Sequence, residues 1–161
     1  MTQSNMYSAS AADVWEIFCD HVEGNPSSVV LALSWNPLGD ASRNALAKSF
    51  ESLGYGKEVC AFATILPRSD AEEARDLQAL ALDPQALFML VEGLDPVCLV
   101  CADGETAKVL GAAYRTSFKS DAATRVFGRP AAIFRSLDAL MESPEGKRSA
   151  WAVLKTFPKR A

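Results

Sequence analysis

Four cysteines and a single histidine supply the thiol and imidazole side chains that could act as nucleophiles or metal ligands in this chain. Cys98 and Cys101 have C-x-x-C spacing, but they fall in an apolar run typical of a β-strand. Residues three apart on a strand point to opposite faces, so these thiols cannot share a tetrahedral zinc ion. His21 sits in a predicted helix with no second histidine to pair with it. We therefore expect buried thiols, no metal and no cofactor.

Two further segments place polar or aromatic side chains directly after apolar runs. Trp35 and Asn36 follow the first run, where a tryptophan can stack on a base; the alternative is a packed indole beside an Asx-type turn. Gly104 and Thr106 begin a helix after a later run, where free N–H groups could hold an anion. A plain strand-to-helix turn is the alternative there, because the sequence has neither G-x-G-x-x-G nor a P-loop motif.

Length and composition limit the classes of protein to which this chain can belong. Its 161 residues predict a single domain, 1–161, and 49% apolar with 22% charged residues is typical of a globular chain. A net charge of −4 argues against a wholly basic nucleic-acid clamp but leaves room for a local basic patch. No run of eighteen apolar residues and no signal peptide is present, so we expect a cytoplasmic protein without a membrane partner.

Apolar strands alternate with amphipathic helices along the chain. Strands are predicted at 28–33, 58–65, 97–101 and 131–134, and helices at 10–22, 40–53, 71–82, 84–94, 104–111, 136–141 and 144–156. After the N-terminal helix, this alternation predicts an α/β core over about 28–157, in three α/β/α layers with a central four-stranded parallel sheet of order 2-1-3-4. Ligands of such sheets bind beyond the carboxyl ends of the strands.

Four longer stretches follow the motif order of a known family. Residues 36–65 resemble its helix, glycine turn and second strand, and residues 85–111 resemble its next helix, strand and helix. Residues 131–138 occupy the place of a His-Pro-Ser loop, and residues 143–155 (SPEGKRSAWAVLK) resemble a closing NP-x-x-KR-x-x-W-x-x-L helix. Together these stretches resemble the uracil-DNA glycosylase superfamily, most closely its bacterial iron–sulfur branch.

The resemblance implies extrusion of a uracil into a pocket and cleavage of its glycosidic bond. By position, Asn36 corresponds to the residue that orients water. Ala63 replaces the asparagine that reads the uracil edge, and Ser136 replaces the histidine that stabilises the leaving anion. Asp138 adds a negative charge close by, and Pro67 stands where a cluster cysteine would be. The scaffold is thus expected to remain while its catalytic groups are lost.

We expect a degenerate, non-catalytic glycosylase-like protein that serves as a DNA- or protein-binding module in DNA repair or replication. Arg68 and Arg135, near the predicted strand ends, are the first candidates for contacting DNA phosphates. One alternative is an active base-excision glycosylase that uses Asn36; another is a protein that binds a small anion at Gly104. In the closing helix, Trp151 is expected to face inward.

Overall fold

The computed structural model describes residues 10–68 and 80–160. Its helices are α1 (Ala11–Ile17), α2 (Asp40–Ser52), α3 (Pro84–Leu94), α4 (Gly104–Tyr114), α5 (Leu137–Leu140) and α6 (Pro144–Leu154). Its strands are β1 (Val22–Glu23), β2 (Val30–Ser34), β3 (Cys60–Thr64), β4 (Cys98–Cys101), β5 (Ala122–Val126) and β6 (Arg129–Ile133). The helix predicted at 71–82 falls outside the described ranges, apart from its last three residues. Within those ranges, no helix is both long and apolar enough to cross a bilayer.

The six strands of the described ranges form one mixed sheet in the order β1-β3-β2-β4-β6-β5. The four inner strands are parallel, and Val30 of β2 is in register with Cys60 of β3 and with Cys98 of β4. These four strands match the predicted ones and follow the predicted order 2-1-3-4. The sheet is nevertheless larger than the four-stranded parallel sheet we expected, because β1 and β5 extend it with antiparallel edges.

Helices cover both faces of the sheet, so the fold has an α/β/α arrangement. Leu31 and Leu99 point to the face covered by α1, α3 and α4. Val30 points to the other face, which α2, α5 and α6 cover. Cys101 belongs to the first core and Cys98 to the second, and both are fully buried. The prediction that these two thiols face opposite sides of their strand is confirmed.

The N-terminal helix is shorter than predicted. Its start has the predicted cap: the Ser10 hydroxyl accepts the Asp13 N–H at 3.2 Å, and the Asp13 carboxylate approaches the Ser10 N–H in return. The helix ends at Ile17 instead of continuing to residue 22. The chain turns there because Val22 pairs with Ala63 and becomes the edge strand β1.

The closing helix α6 buries Ala150 and Leu154, as predicted, but leaves the Trp151 side chain 39% exposed. The expectation that Trp151 faces inward is therefore wrong. Gly146, Ala150 and Leu154 recur every four residues and define the inward stripe. Trp151 is one residue, or about 100°, further round the helix, which places its ring at the edge of that stripe.

We expect Gly146→Ala to lower the free energy of unfolding by about 1–3 kcal/mol, although alanine favours helix formation. A Cβ at position 146 would overlap the main-chain carbonyl of Leu140, which cannot move without shifting α5. Urea unfolding measures the change, and Ser149→Ala on the exposed face of the same helix is the matched control. Equal or higher stability of the Gly146 variant would show that the two helices are not in close contact.

Candidate functional site

A cleft of about 1090 Å³ opens at the carboxyl ends of β2, β4 and β6. Its lining residues come from the loops that follow these strands and from the loop between α4 and β5. This is the edge at which a parallel α/β sheet is expected to place its ligand site. Five of the predicted site residues line the cleft together, namely Trp35, Asn36, Gly104, Arg135 and Ser136.

Trp35 is held in place by its main chain, which joins three neighbouring loops. Its N–H donates to a carboxylate oxygen of Asp103 at 2.7 Å, and its carbonyl accepts the Leu66 N–H at 3.1 Å. The indole is half-buried against the sheet core and also lines the cleft. An aromatic ring is therefore presented at the cleft from a backbone with little freedom to move.

Asn36 extends from the same loop and is exposed. The buried Ser34 hydroxyl donates to the Asn36 carbonyl at 2.6 Å, which fixes the backbone of this residue. The Asn36 side-chain amide makes no hydrogen bond within the described part of the chain. A carboxamide carries both donors and an acceptor, so Asn36 is free to pair with a polar edge of a ligand.

The start of α4 already uses most of its N–H groups inside the protein. The Asp103 carboxylate accepts the Thr106 N–H at 2.8 Å, and the Gly104 N–H donates to the Arg135 carbonyl at 3.0 Å. Asp103 also adds a negative charge at this helix start. Because these donors are occupied, the structure gives little support to anion binding at Gly104, one of the alternatives raised by the sequence. The buried Thr106 hydroxyl has no partner among the described residues.

Ser136 and Asp138 both serve the local backbone. The Ser136 hydroxyl caps α5 by accepting the Ala139 N–H at 3.2 Å. The Asp138 carboxylate accepts the Gly39 N–H at 3.2 Å and the Ser42 hydroxyl at 2.5 Å, which ties the start of α2 to the cleft. Gly39 is the N-cap of α2.

Arg135 presents an exposed cation at the cleft. Its main-chain N–H donates to Asp121 at 3.2 Å, while its guanidinium forms no ion pair with any residue that the structure describes. The charged residues of the lining are Lys108, Arg135, Asp103, Glu105, Asp121 and Asp138. Three of these carboxylates accept N–H groups, and Glu105 lies 3.3 Å from Lys108. Among the residues that the structure describes, four carboxylates against two cations make the lining unsuited to a run of phosphates.

Thr106 and three other sequence candidates lie outside the cleft lining. Arg68, predicted to contact DNA, donates to the main-chain carbonyls of Cys19 at 3.2 Å and Val22 at 2.5 Å, so it holds the segment between α1 and β1. The His21 Nδ1 lies 2.9 Å from the Thr64 carbonyl and acts as its donor. Ala63 is buried in β3, so the position matching the uracil reader is part of the core.

The sequence did not single out Phe118, yet its ring lines the cleft and packs against the core that Trp35 also contacts. Phe118 is the one aromatic residue in the polar segment 115–121. That segment follows α4 and precedes β5. Because the predicted sheet did not include β5, this loop could not be located at the carboxyl edge of the sheet from the sequence. The feature of the sequence that could have indicated a site residue here is an isolated aromatic side chain within a polar loop.

The buried thiols are not activated nucleophiles. Burial raises the pKa of Cys101 from 9 to about 12, and burial raises that of Cys60 to the same range. Both thiols therefore stay protonated near neutral pH and are poor nucleophiles. Over the described residues, no group of three His, Cys, Asp or Glu side chains is arranged to hold a metal ion.

The raised pKa of Cys101 predicts a loss of stability in alkali. Below pH 9 the Cys101 thiol is protonated in both the folded and the unfolded chain. Between pH 9 and about 12 the thiol is deprotonated in the unfolded chain but still protonated in the folded one. The free energy of unfolding should therefore fall by about 1.4 kcal/mol per pH unit from this thiol, up to pH 12. Urea unfolding at several pH values should show a shallower fall for Cys101→Ala than for the exposed Cys19→Ala. Equal slopes would contradict the buried-thiol assignment.

No family model matches the chain, and none of the curated proteins does. Function must therefore be inferred from the chemistry of the cleft.

Proposed function

We propose that this chain is a degenerate uracil-DNA glycosylase-like protein that binds a base of single-stranded DNA without excising it, in repair or replication. The observation that supports this most is the convergence of Trp35, Asn36 and Phe118 on one cleft at the carboxyl edge of the sheet. The resemblance of residues 143–155 to the closing helix of that superfamily agrees with the same class of ligand.

A neutral, planar base suits the lining better than a phosphate does. Aromatic rings such as Trp35 and Phe118 stack on any base, and each stacked base contributes about 1–3 kcal/mol. The Asn36 carboxamide adds a donor and an acceptor for the polar edge of the base. The excess of carboxylates among the described lining residues disfavours phosphates deep in the cleft, and the exposed Arg135 guanidinium in the lining can pair with a phosphate of the DNA backbone.

The chain lacks the side chains that base excision requires in the superfamily. Ala63 has no polar atom and is buried, so it cannot read a uracil edge. The Ser136 hydroxyl accepts an N–H to cap α5 and is a weaker partner for a leaving anion than an imidazole. Losing one such anion-stabilising donor costs on the order of 10²–10³ in rate. We therefore expect cleavage of the glycosidic bond to be slow or absent, while binding of the base is retained.

An active glycosylase remains the second candidate because one observation favours it. Asn36 corresponds to the water-orienting residue of the superfamily, and its side chain is exposed in the cleft with its hydrogen-bonding groups free of described partners. Excision of uracil that disappears in Asn36→Ala would establish this candidate in place of the proposed one.

We expect the chain to bind a labelled single-stranded oligonucleotide and to leave its uracil intact. Binding is measured by fluorescence anisotropy, and excision by alkaline cleavage of abasic sites on a gel. Single-stranded DNA should bind more tightly than duplex, because its bases are already partly unstacked. Detectable excision, or tighter binding of duplex, would contradict the proposal.

Arg135→Ala should weaken binding and lower the dependence of affinity on salt, because one phosphate contact is lost. The matched control is Arg148→Ala, which removes an exposed arginine from α6 outside the cleft lining. Equal affinities of the two variants would show that DNA does not follow the Arg135 side of the cleft.

A further inference from the structure

A second concave surface lies on the helical face formed by α2, α5 and α6 and is lined by different residues from those of the cleft. This groove has a volume of about 450 Å³ and lies between α2 and α6, which do not pack closely against each other. Its floor consists of the buried side chains Leu46, Leu137 and Leu154. A concave surface between two helices is the shape that receives side chains from another element.

Trp151 forms one wall of this groove and is 39% exposed. The opposite side of the groove, on α2, carries small side chains, because Ala41, Ala45 and Ser49 recur there every four residues. A half-exposed tryptophan beside a groove of small side chains offers a large apolar contact at little conformational cost. Tryptophan is among the residues that most often dominate the energy of protein interfaces.

The charges of the groove lining indicate the chemistry of its occupant. Among the described residues that line it, Lys48 and Lys147 are the charged ones, and both are exposed. The chain as a whole carries a net charge of −4, so this surface is locally opposite in sign. A second copy that used the same groove across a two-fold axis would bring lysines together, which disfavours self-association here. An acidic partner complements the lysines.

We propose that the groove between α2 and α6 binds an acidic amphipathic helix of a partner protein. Apolar side chains at helical spacing would pack against Trp151 and the small side chains Ala41 and Ala45 of α2, while flanking carboxylates would pair with Lys48 and Lys147. The lining extends along α2 from Ala41 to Ser52, a length that accommodates about three helical turns of the partner. This proposal does not depend on DNA binding, which involves different residues.

The test begins with a displayed library of random peptides about three helical turns long, selected on the full chain. Selected peptides are then synthesised with a fluorescent label and titrated by anisotropy. We expect enriched peptides to combine carboxylates with apolar residues at i, i+3 or i+4 spacing. Failure to enrich any peptide, or enrichment of neutral or basic ones, would overturn the proposal.

Variants then locate the binding surface. Trp151→Ala should weaken the selected peptides about tenfold or more, and Lys48→Glu or Lys147→Glu should weaken them with a marked loss of salt dependence. Arg148→Glu, outside the groove lining, and Trp35→Ala, in the cleft, should leave peptide affinity unchanged. Urea unfolding confirms that Trp151→Ala is folded. The proposal would be overturned if Trp151→Ala kept the peptide affinity of the unchanged chain. It would also be overturned if this variant lost DNA binding or self-association rather than peptide binding.

Discussion

Replacing Trp35 with alanine is expected to lower the affinity for single-stranded DNA by roughly 5- to 150-fold, which corresponds to the ~1–3 kcal/mol of one stacked base. The effect should be large because the Trp35 backbone is fixed by Asp103 and Leu66, so its ring is positioned before DNA arrives. Anisotropy titration of a labelled oligonucleotide measures the change.

Trp35→Phe is the informative companion, because it keeps an aromatic face while removing the indole N–H. We expect this variant to retain most of the affinity. Trp151→Ala removes a tryptophan outside the cleft and should bind DNA as the unchanged chain does. If Trp35→Ala and Trp151→Ala behave alike, base stacking does not take place in the cleft.

Asp103→Ala should have the largest effect on stability, a loss of about 2–4 kcal/mol in the free energy of unfolding. The carboxylate caps α4 through the Thr106 N–H and accepts the Trp35 N–H at 2.7 Å. Loss of the cap costs about 1 kcal/mol, and loss of a charged hydrogen bond about 1.5–3 kcal/mol. DNA affinity should fall as well, because the Trp35 loop is no longer tied to the loop that follows β4.

Asp83 provides a matched control for Asp103. It caps α3 by accepting the Ala86 N–H at 2.7 Å, with no contact to the cleft. Asp83→Ala should therefore lose only the ordinary contribution of a cap, about 0.5–2 kcal/mol, and keep its DNA affinity. Equal losses of stability and affinity in the two variants would show that Asp103 does not join the loops of the site.

The inner strands and the position of the cleft could be predicted because they depend on local patterns. Residues such as Leu31 and Leu99 lie in strands that are apolar on both faces, which is the signature of a buried parallel sheet. Once the strands were placed, topology put Trp35, Asn36 and Arg135 at one edge. The edge strands were missed because β1 has only two residues and β5 exposes its central residues.

The remaining differences between the sequence-based expectations and the structure concern side-chain direction and long-range contacts. Trp151 looked like a core residue by type, but Gly146, which allows α6 to approach the Leu140 carbonyl, fixes the inward stripe of the helix. Arg68 was close in sequence to a strand end, yet its guanidinium is used by carbonyls about forty-six residues away, near Val22. Phe118 reaches the cleft only through the loop before β5. None of these contacts leaves a periodic signal in the sequence.

Nitrogen-15 correlation spectra of the labelled chain during titration with a short oligothymidylate test base binding in the cleft most directly. The chain has three tryptophans, Trp15, Trp35 and Trp151, and each indole N–H gives its own signal. We expect the Trp35 indole and the Asn36 side-chain amide signals to shift with added oligonucleotide, while those of Trp15 and Trp151 stay in place. A Trp35 signal that does not move at saturating oligonucleotide would contradict base binding in the cleft.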